Sequence, residues 1–324
     1  MSARRALSLV FTGQGSQRVG MIKDLLEQWP RIVSPLLDEA EAAIQVNIKK
    51  LMVEGPQDQL TQTFIAQPAI LAHSYAVLRI LENEVDFDVA AQCQFALGHS
   101  LGQFTALVAT KALSFSDAID LVHFRGKAMM DAMKDSTDRG AMAALLPVTP
   151  SAAEDICKQI QTELGLVCQV ANYNSNKQTV ISGHASAVEA AVKLAKERKV
   201  RRAVMLDVSA PFHCALMEPA AKQLAAKMES IAFQPPVLPV VCNVSADILP
   251  ADQIRDRLTS QVVEPVRWSQ SVDFCQAQGA QTFVEMGFGG VLTGLIKQHA
   301  PSATCTSLGS AEELRSWMQS LQQS

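Results

Sequence analysis

A short apolar segment runs directly into a G-x-S-x-G pattern at Phe95-Ala96-Leu97-Gly98-His99-Ser100-Leu101-Gly102. The apolar residues predict a strand over Phe95–Gly98, and the following residues predict a helix over Leu101–Thr110. Strand, turn and helix in this order are typical of a turn that exposes a nucleophilic serine. Ser100 is therefore a candidate nucleophile, although a glycine-bounded turn with a capping serine would give the same pattern.

Apolar segments and helical patterns alternate on both sides of this turn, which is typical of an α/β fold. Upstream, the sequence predicts a strand over Leu7–Phe11 that ends at Gly13, and a helix over Gln67–Leu81. Downstream, a helix is predicted to begin with Ser116 as its N-cap and to run to about Met133.

A segment with a different order of predicted strands and helices interrupts this alternation at residues 138–208. Its predicted order is βαββαβ, the order of a ferredoxin-like domain. The predicted elements are Ala141–Leu146, Ser151–Leu164, Val167–Tyr173, Thr179–Ser182, Ala185–Arg198 and Arg202–Leu206, with a polar turn at Asn174-Ser175-Asn176-Lys177. We therefore expect a large α/β domain, residues 1–137 and 209–324, with a small ferredoxin-like domain inserted into it.

The composition argues against several classes of function. Among 324 residues, 48% are hydrophobic and the formal net charge is −4, which gives no bulk attraction to nucleic acid or to anionic membranes. No apolar run approaches the roughly 20 residues that span a bilayer, and the start, Met1-Ser2-Ala3-Arg4-Arg5, leads into a run too short for a secretory signal. The seven cysteines lack the spacing of a disulfide framework or a zinc site, so we expect reduced thiols and no metal.

A serine nucleophile needs a base, and the chain has six histidines. His99 adjoins Ser100 on the tight turn and is expected to point elsewhere. His213 follows the segment Ser209-Ala210-Pro211-Phe212 and precedes a helix, a position where catalytic groups are common. A structural role for His213 would fit this position nearly as well.

Gln14 and Arg125 are further candidates for binding groups. Gln14 lies between Gly13 and Gly15, where glycine lets backbone approach a ligand closely and the Gln14 amide could donate to an oxyanion. Turn formation alone explains that motif equally well. Arg125 lies on an apolar helical stretch with Met129 on the same face, and its guanidinium suits a carboxylate, either of a ligand or of a protein Asp or Glu.

Eight motifs follow one another in a specific order along the chain. They are Gly13-Gln14-Gly15-Ser16-Gln17, Gln67-Pro68-Ala69, Gly98 to Gly102, Arg125-Gly126-Lys127-Ala128-Met129, Ala171-Asn172-Tyr173-Asn174-Ser175, Pro211-Phe212-His213-Cys214-Ala215-Leu216-Met217, Glu264-Pro265-Val266-Arg267-Trp268, and Glu285-Met286-Gly287-Phe288-Gly289 with Val291-Leu292. This ordered set resembles the malonyl-CoA:acyl carrier protein transacylases from about residue 8 to residue 297. The resemblance implies an α/β-hydrolase-like large domain with a ferredoxin-like insertion. It also implies transfer of a malonyl group from malonyl-CoA to the phosphopantetheine thiol of an acyl carrier protein.

The resemblance also implies roles for individual residues. Ser100 would be the nucleophile and His213 its base, with the backbone carbonyl of Gln261 in place of a triad acid. Gln14 and the backbone N–H of Leu101 would form the oxyanion hole.

Arg125 would bind the malonyl carboxylate, and further residues would line the substrate pocket, namely Gln67, Met129, Asn172 and Phe212. The ring of Phe212 would exclude a branched acyl group. Three positions depart from the usual family pattern and put local loop geometry, not the chemistry, in question: Thr12 and Phe288 replace prolines, and Gln103 replaces a glutamate.

Two other classes of function stay open at this point. A serine hydrolase also carries G-x-S-x-G, but its histidine comes late in the chain, whereas a long segment follows His213. A catalytically silent, acyltransferase-like binding subunit would have no need to retain Ser100, His213, Arg125 and Gln14 together.

The expected partners follow from the implied reaction. We expect malonyl-CoA and an acyl carrier protein, with no cofactor beyond the coenzyme A and phosphopantetheine of the substrates, and neither nucleic acid nor membrane. A basic face could dock an acidic carrier protein, although a solvated helix face would look the same; its residues are Lys193, Lys196, Arg198, Lys199, Arg201 and Arg202. We expect a monomer in the bacterial cytoplasm or the mitochondrial matrix, acting in fatty acid or polyketide synthesis.

Overall fold

The computed structural model describes residues 7–134 and 139–322. The starting segment Met1 to Arg5 and the predicted domain boundary between residues 137 and 138 lie outside the described residues. The described chain forms nine strands: β1 Leu7–Phe11, β2 Phe95–Gly98, β3 Gly140–Leu146, β4 Cys168–Ser175, β5 Gln178–His184, β6 Arg202–Met205, β7 Val240–Val241, β8 Thr282–Met286 and β9 Thr304–Leu308.

Helices connect these strands and cover both sheets. They are α1 Lys23–Gln28, α2 Pro30–Ile44, α3 Ile48–Glu54, α4 Gln57–Thr61, α5 Thr63–Glu84, α6 Val89–Gln92, α7 Gly102–Ala109, α8 Phe115–Asp131, α9 Pro150–Leu164, α10 Ala185–Glu197, α11 Glu218–Met228, α12 Ile254–Val263, α13 Trp268–Ala277, α14 Val291–His299 and α15 Ala311–Gln322. Short 3₁₀ helices lie at Ala215–Met217 and Ala251–Gln253.

The larger sheet is parallel, in the order β7-β2-β1-β8-β9. Its central strand β1 is buried along its whole length, as a strand covered by helices on both faces should be. In the strand register, Phe11 pairs with Gly98 on one side and with Met286 on the other. The segments that follow β1, β2 and β8 therefore all begin at the carboxyl ends of the parallel strands, which is where ligands bind in open α/β sheets.

The smaller sheet is antiparallel, in the order β4-β5-β3-β6, and has its own apolar core with α9 and α10. Its edge strand β4 contacts the chain between α12 and α13. The Tyr173 N–H donates to the Val266 carbonyl over 2.9 Å, and the Val266 N–H donates to the Ala171 carbonyl over 2.8 Å. These backbone bonds fix the position of β4 relative to the parallel sheet.

The predicted strands over Leu7–Phe11 and Phe95–Gly98 are confirmed. The predicted N-cap Ser116 is wrong, because Ser114 caps α8 by accepting the Asp117 N–H over 3.1 Å. Ser114 also donates to the Asp117 carboxylate over 2.6 Å, so the cap and the third helical residue stabilise each other.

Two further sequence predictions need correction. The polar turn is shorter than predicted, because residues 174–175 continue β4 and only residues 176–177 form the turn. Helix α5 is longer than the predicted Gln67–Leu81 and is apolar enough, by length and composition, to cross a membrane. Its most apolar window is 83% buried inside the protein, as in the central helix of a protein core.

Candidate active site

Ser100 lies on the sharp turn between β2 and α7, with a left-handed φ of 52°. Glycine is required on both sides of this turn. A Cβ on Gly98 would lie 1.9 Å from the Gly102 carbonyl carbon, and a Cβ on Gly102 would lie 2.0 Å from the Phe11 oxygen. The two glycines therefore let strand, turn and helix pack closely enough to hold the serine above the edge of the parallel sheet.

His213 contacts the serine hydroxyl directly. Its Nε2 lies 2.8 Å from Ser100 Oγ, and its Nδ1 lies 2.7 Å from the backbone carbonyl oxygen of Gln261. A carbonyl can only accept a hydrogen bond, so Nδ1 carries the proton and Nε2 is free to accept from the serine. The three groups form a nucleophile, a base and an orienting group with no carboxylate.

The pKa of His213 is lowered to about 3. Burial is the main cause, and the nearby positive charge of Arg125 lowers it further, whereas the hydrogen bond to the Gln261 carbonyl acts in the opposite direction. The imidazole is therefore neutral over the physiological pH range and able to accept a proton.

Arg125 extends from α8 to the same point and is 3% exposed. Its Nη1 donates to Gln67 Oε1 over 2.8 Å, and its Nη2 donates over 3.1 Å to both Ser100 Oγ and Gln261 Oε1. The guanidinium carbon also lies 5.4 Å from the centre of the Phe104 ring. All of these partners are uncharged.

No carboxylate among the described residues forms an ion pair with Arg125. Burial lowers its pKa to about 9, which leaves it charged at neutral pH. Buried arginines are normally paired with an anion, because the cost of desolvating the charge is high. A buried cation beside a nucleophile, held by neutral groups only, is suited to receive a carboxylate from a ligand.

Close packing between α5 and α8 brings Arg125 to this position. Pro68 in α5 has no N–H to donate to the Phe64 carbonyl, and His123 Nδ1 of α8 lies 2.7 Å from that oxygen. Gly126 permits the contact, since a Cβ there would lie 2.4 Å from the Phe64 Cα. Gln67, one turn beyond Phe64, thereby faces Arg125.

Met129 lies one turn after Arg125 on α8 and is buried, with its sulfur 4.0 Å from Gln67 Nε2. Phe212, immediately before His213, is 9% exposed and belongs to the main apolar core. Asn172 lies on β4 at the backbone bridge to Val266, and no hydrogen bond of the described residues joins its side chain to Ser100.

The two expected oxyanion donors lie in the segments that follow the neighbouring strands β1 and β2. Gln14 follows β1, and its side-chain amide donates to Thr63 Oγ1 over 3.2 Å. Leu101 precedes α7, where the first N–H groups of a helix lack intrahelical partners. The N–H of Ser100 itself donates to Asn243 Oδ1 over 2.8 Å. Among these N–H groups, that of Leu101 is therefore placed to meet an oxyanion.

His99 points away from the nucleophile, as expected, since its Nε2 lies 2.8 Å from Asn174 Oδ1. Among the residues that the structure describes, no three His, Cys, Asp or Glu side chains group as metal ligands would. All seven cysteines are free thiols, and six of them are buried.

The sequence matches the acyl transferase domain family over residues 8–320. It is 42% identical over 294 residues to the malonyl CoA-acyl carrier protein transacylase of Bacillus subtilis strain 168, covering 90% of both chains. This chain belongs to the malonyl CoA-acyl carrier protein transacylase family. The family resemblance inferred from the ordered motifs is thereby confirmed.

Solved structures of this transacylase family have the same mixed α/β fold. The acyl-carrier-protein S-malonyltransferase of Bartonella henselae superposes with a TM-score of 0.92 at 38% identity, over 98% of this chain and 99% of that one. A malonyl-transacylase solved in complex with its type II polyketide synthase acyl-carrier protein superposes with a TM-score of 0.91 at 36% identity, over 97% and 99% of the two chains.

Sequence reasoning missed Asn243 altogether, and it named Gln103 and Gln261 without the roles that their side chains have at the site. Asn243, fully buried after β7, bonds the backbone on both sides of His99. Gln103 accepts the Asn243 N–H over 2.8 Å, and the Gln261 side chain donates to the Ser100 carbonyl over 3.0 Å. The available signal was weak, namely a polar residue at the end of the apolar run Val240-Val241-Cys242.

Proposed function

We propose that this chain transfers a malonyl group from malonyl-CoA to the phosphopantetheine thiol of an acyl carrier protein through a malonyl-serine intermediate. The observation that carries the proposal is Arg125, a buried cation with only neutral partners, 3.1 Å from the candidate nucleophile Ser100. The names of the relatives support the reaction and the partner, since they are malonyl CoA-acyl carrier protein transacylases.

In the first half-reaction, Arg125 binds the free carboxylate of malonyl-CoA. His213 Nε2 takes the proton of Ser100 Oγ as the oxygen attacks the thioester carbonyl. The Leu101 N–H and Gln14 stabilise the tetrahedral oxyanion. The carbon–sulfur bond then breaks, the coenzyme A sulfur receives the proton from His213, and a malonyl-serine ester remains.

In the second half-reaction, the phosphopantetheine thiol of the carrier protein replaces coenzyme A. Its proton passes to His213 Nε2 as the sulfur attacks the ester carbonyl. The same oxyanion donors act on the second tetrahedral intermediate. The carbon–oxygen bond breaks, Ser100 regains its proton from His213, and the malonyl thioester leaves on the carrier protein.

The preference for malonyl follows from the charge of Arg125. Acetyl-CoA has no carboxylate and would leave the buried guanidinium without an anion, whereas a malonyl group pairs with it. Gln67 accepts from Arg125, and Met129 contacts Gln67, so we propose that both side chains line the substrate pocket beside the guanidinium. We further propose that the ring of Phe212 limits branching at the acyl α-carbon and that Asn172 lies beside the bound substrate.

Coenzyme A release with and without holo carrier protein tests this function. With malonyl-CoA alone, a transferase releases about one equivalent of coenzyme A per enzyme and then stops. Addition of the carrier protein restores steady release of coenzyme A. Steady release from malonyl-CoA alone would instead identify a serine hydrolase. No release under either condition would leave a binding subunit.

We propose that the carrier protein docks against the segment from α10 to the end of β6. Residues 193–207 carry six basic and two acidic side chains, a net +4 in a chain of net −4. All six basic side chains are exposed. β6 is an edge strand, and three exposed apolar residues lie beside them, namely Val204 and Met205 in the strand and Leu206 just after it. An acidic carrier surface complements this patch.

Charge reversal tests the docking surface. Changing Lys196, Lys199 and Arg201 to Glu should raise the KM for holo carrier protein and leave the KM for malonyl-CoA unchanged. The matched control changes the exposed residues Lys23, Lys50 and Lys111 to Glu. Equal effects of the two triple variants on the carrier KM would exclude this surface.

Two structural assignments belong to the same proposal. We assign residues 138–208 to a ferredoxin-like small domain, supported by the βαββαβ order, and residues 1–137 and 209–324 to an α/β-hydrolase-like catalytic domain, supported by the turn at Ser100. We also propose a monomer that needs no cofactor of its own and supplies fatty acid or polyketide synthesis inside the cell. The relatives compared above whose source is named come from bacteria.

A further inference from the structure

We propose that Asn243 is a positioning residue that holds the turn carrying Ser100 in its reactive conformation. Asn243 follows β7 and is fully buried. Its Nδ2 donates to the Gly98 carbonyl over 2.7 Å, and its Oδ1 accepts the Ser100 N–H over 2.8 Å. One amide group thus bonds the backbone on both sides of His99, much as a neighbouring strand would.

This contact addresses a conformational problem at the nucleophile. Ser100 has a φ of 52°, and a non-glycine residue keeps such a conformation only where its surroundings enforce it. The two bonds from Asn243 fix the orientation of the two peptide groups that flank His99, immediately before Ser100. The serine hydroxyl is therefore held toward His213 Nε2, 2.8 Å away.

The same contact determines which backbone N–H faces the substrate. The N–H of Ser100 is occupied by Asn243 and is turned into the protein interior. The next N–H, that of Leu101, is left to stabilise the oxyanion. Asn243 thus has a part in placing the oxyanion hole as well as the nucleophile.

Asn243 is itself fixed from three sides. Its N–H donates to Gln103 Oε1 over 2.8 Å, its carbonyl accepts the Arg267 N–H over 2.9 Å, and its Oδ1 also accepts from Gln261 Nε2 over 3.1 Å. Because Gln103 must present its oxygen to a donor, its amide orientation is defined. The Gln261 backbone carbonyl orients His213, so the turn and the base share one set of supports.

This inference rests on the proposed malonyl-serine intermediate, and Asn243→Ala tests it. The number of malonyl adducts formed per chain distinguishes a misplaced nucleophile from a misfolded protein. We expect the variant to reach one malonyl adduct per chain, but at a rate about 10- to 100-fold below wild type, as for a misplaced reacting group. The KM for malonyl-CoA should change by less than about threefold, because Arg125 is not displaced.

Asn243→Asp gives a second test that preserves side-chain size. The Asp side chain keeps the acceptor for the Ser100 N–H. When ionised, however, it places a carboxylate oxygen against the Gly98 carbonyl oxygen and cannot donate to it. Acylation should therefore again be slower than in the wild type but still reach one adduct per chain. Val188→Ala, which truncates a fully buried residue in the separate core of the small sheet, is the control for general destabilisation.

Three outcomes would overturn the proposal. The first is an acylation rate within about threefold of wild type for both Asn243 variants. The second is an equal loss of acylation rate in Val188→Ala. The third is less than one adduct per chain formed at the wild-type rate, which would indicate a misfolded fraction. A wild-type protein that forms no adduct would refute the proposed function itself, so the two failures are distinguishable.

Discussion

Replacing Arg125 with Ala should abolish the preference for malonyl over acetyl groups. Arg125 is 3% exposed, and its guanidinium has no carboxylate partner among the described residues. A malonyl carboxylate would gain two charge-assisted hydrogen bonds there, each worth about 1.5–3 kcal/mol. The expected loss is about 3–6 kcal/mol, or about 10²- to 10⁴-fold in kcat/KM for malonyl-CoA.

The kcat/KM for acetyl-CoA should change far less, because acetyl makes no bond with Arg125. The assay measures both substrates with the same carrier protein, and the ratio of the two kcat/KM values is the readout. Arg125→Lys is the matched control, because it keeps the positive charge. A lysine ammonium, however, cannot donate to Gln67 and Gln261 and also bind a carboxylate bidentately. We expect it to restore only part of the ratio. An unchanged ratio in Arg125→Ala would refute the assigned role.

The remaining predictions concern pH, helix packing and pocket size. The pKa of His213 is lowered to about 3 in the folded chain, whereas an unfolded histidine titrates near a pH of about 6.5. Between these pH values the unfolded chain binds one more proton than the folded chain. The free energy of unfolding therefore decreases as the pH falls from about 6.5 toward 3. His213→Gln should remove this part of the loss, as a comparison of melting temperature against pH would reveal; identical profiles would contradict the lowered pKa. Gly126→Ala should destabilise the fold by about 1–3 kcal/mol and raise the KM for malonyl-CoA, because its Cβ would lie 2.4 Å from the Phe64 Cα and push α8 from α5. Gly294→Ala, in a helix with open space around it, should instead be neutral or stabilising by up to about 1 kcal/mol, and equal melting temperatures for these two variants would argue against the packing explanation. Phe212→Ser should raise kcat/KM for methylmalonyl-CoA relative to malonyl-CoA by about 10-fold or more, the scale of one crowded carbon in a pocket, and an unchanged ratio would remove Phe212 from the specificity pocket.

Local sequence signals predicted the frame of the site well. β1 and β2 were placed correctly because predominantly apolar runs end there at glycine-rich turns, and the two glycines around Ser100 marked the turn itself. The N-cap of α8 was misplaced by two residues, although Ser114 and Asp117 have the spacing of a capping box. Either serine satisfies the capping preference, and the reciprocal bond to Asp117 decided between them.

The supports of the site lay beyond sequence reasoning because they join distant segments. Asn243 contacts the Ser100 turn across 143 residues, and Gln261 contacts it across 161. No periodicity links such positions, and an amide that bonds backbone leaves no charge pattern. The environment of Arg125 was equally unreadable, since the sequence left both a protein carboxylate and a ligand carboxylate open as its partner. Only the fold shows neutral groups around it.

Intact-protein mass spectrometry would detect the proposed malonyl-serine ester as an added malonyl mass on the chain. Wild type and Ser100→Ala would be mixed briefly with malonyl-CoA, weighed, and then exposed to holo carrier protein. We expect one malonyl adduct on the wild type, none on the variant, and loss of the adduct when the carrier protein is added. An adduct of equal occupancy on Ser100→Ala, or a wild-type adduct that the carrier protein cannot discharge, would contradict the proposed intermediate.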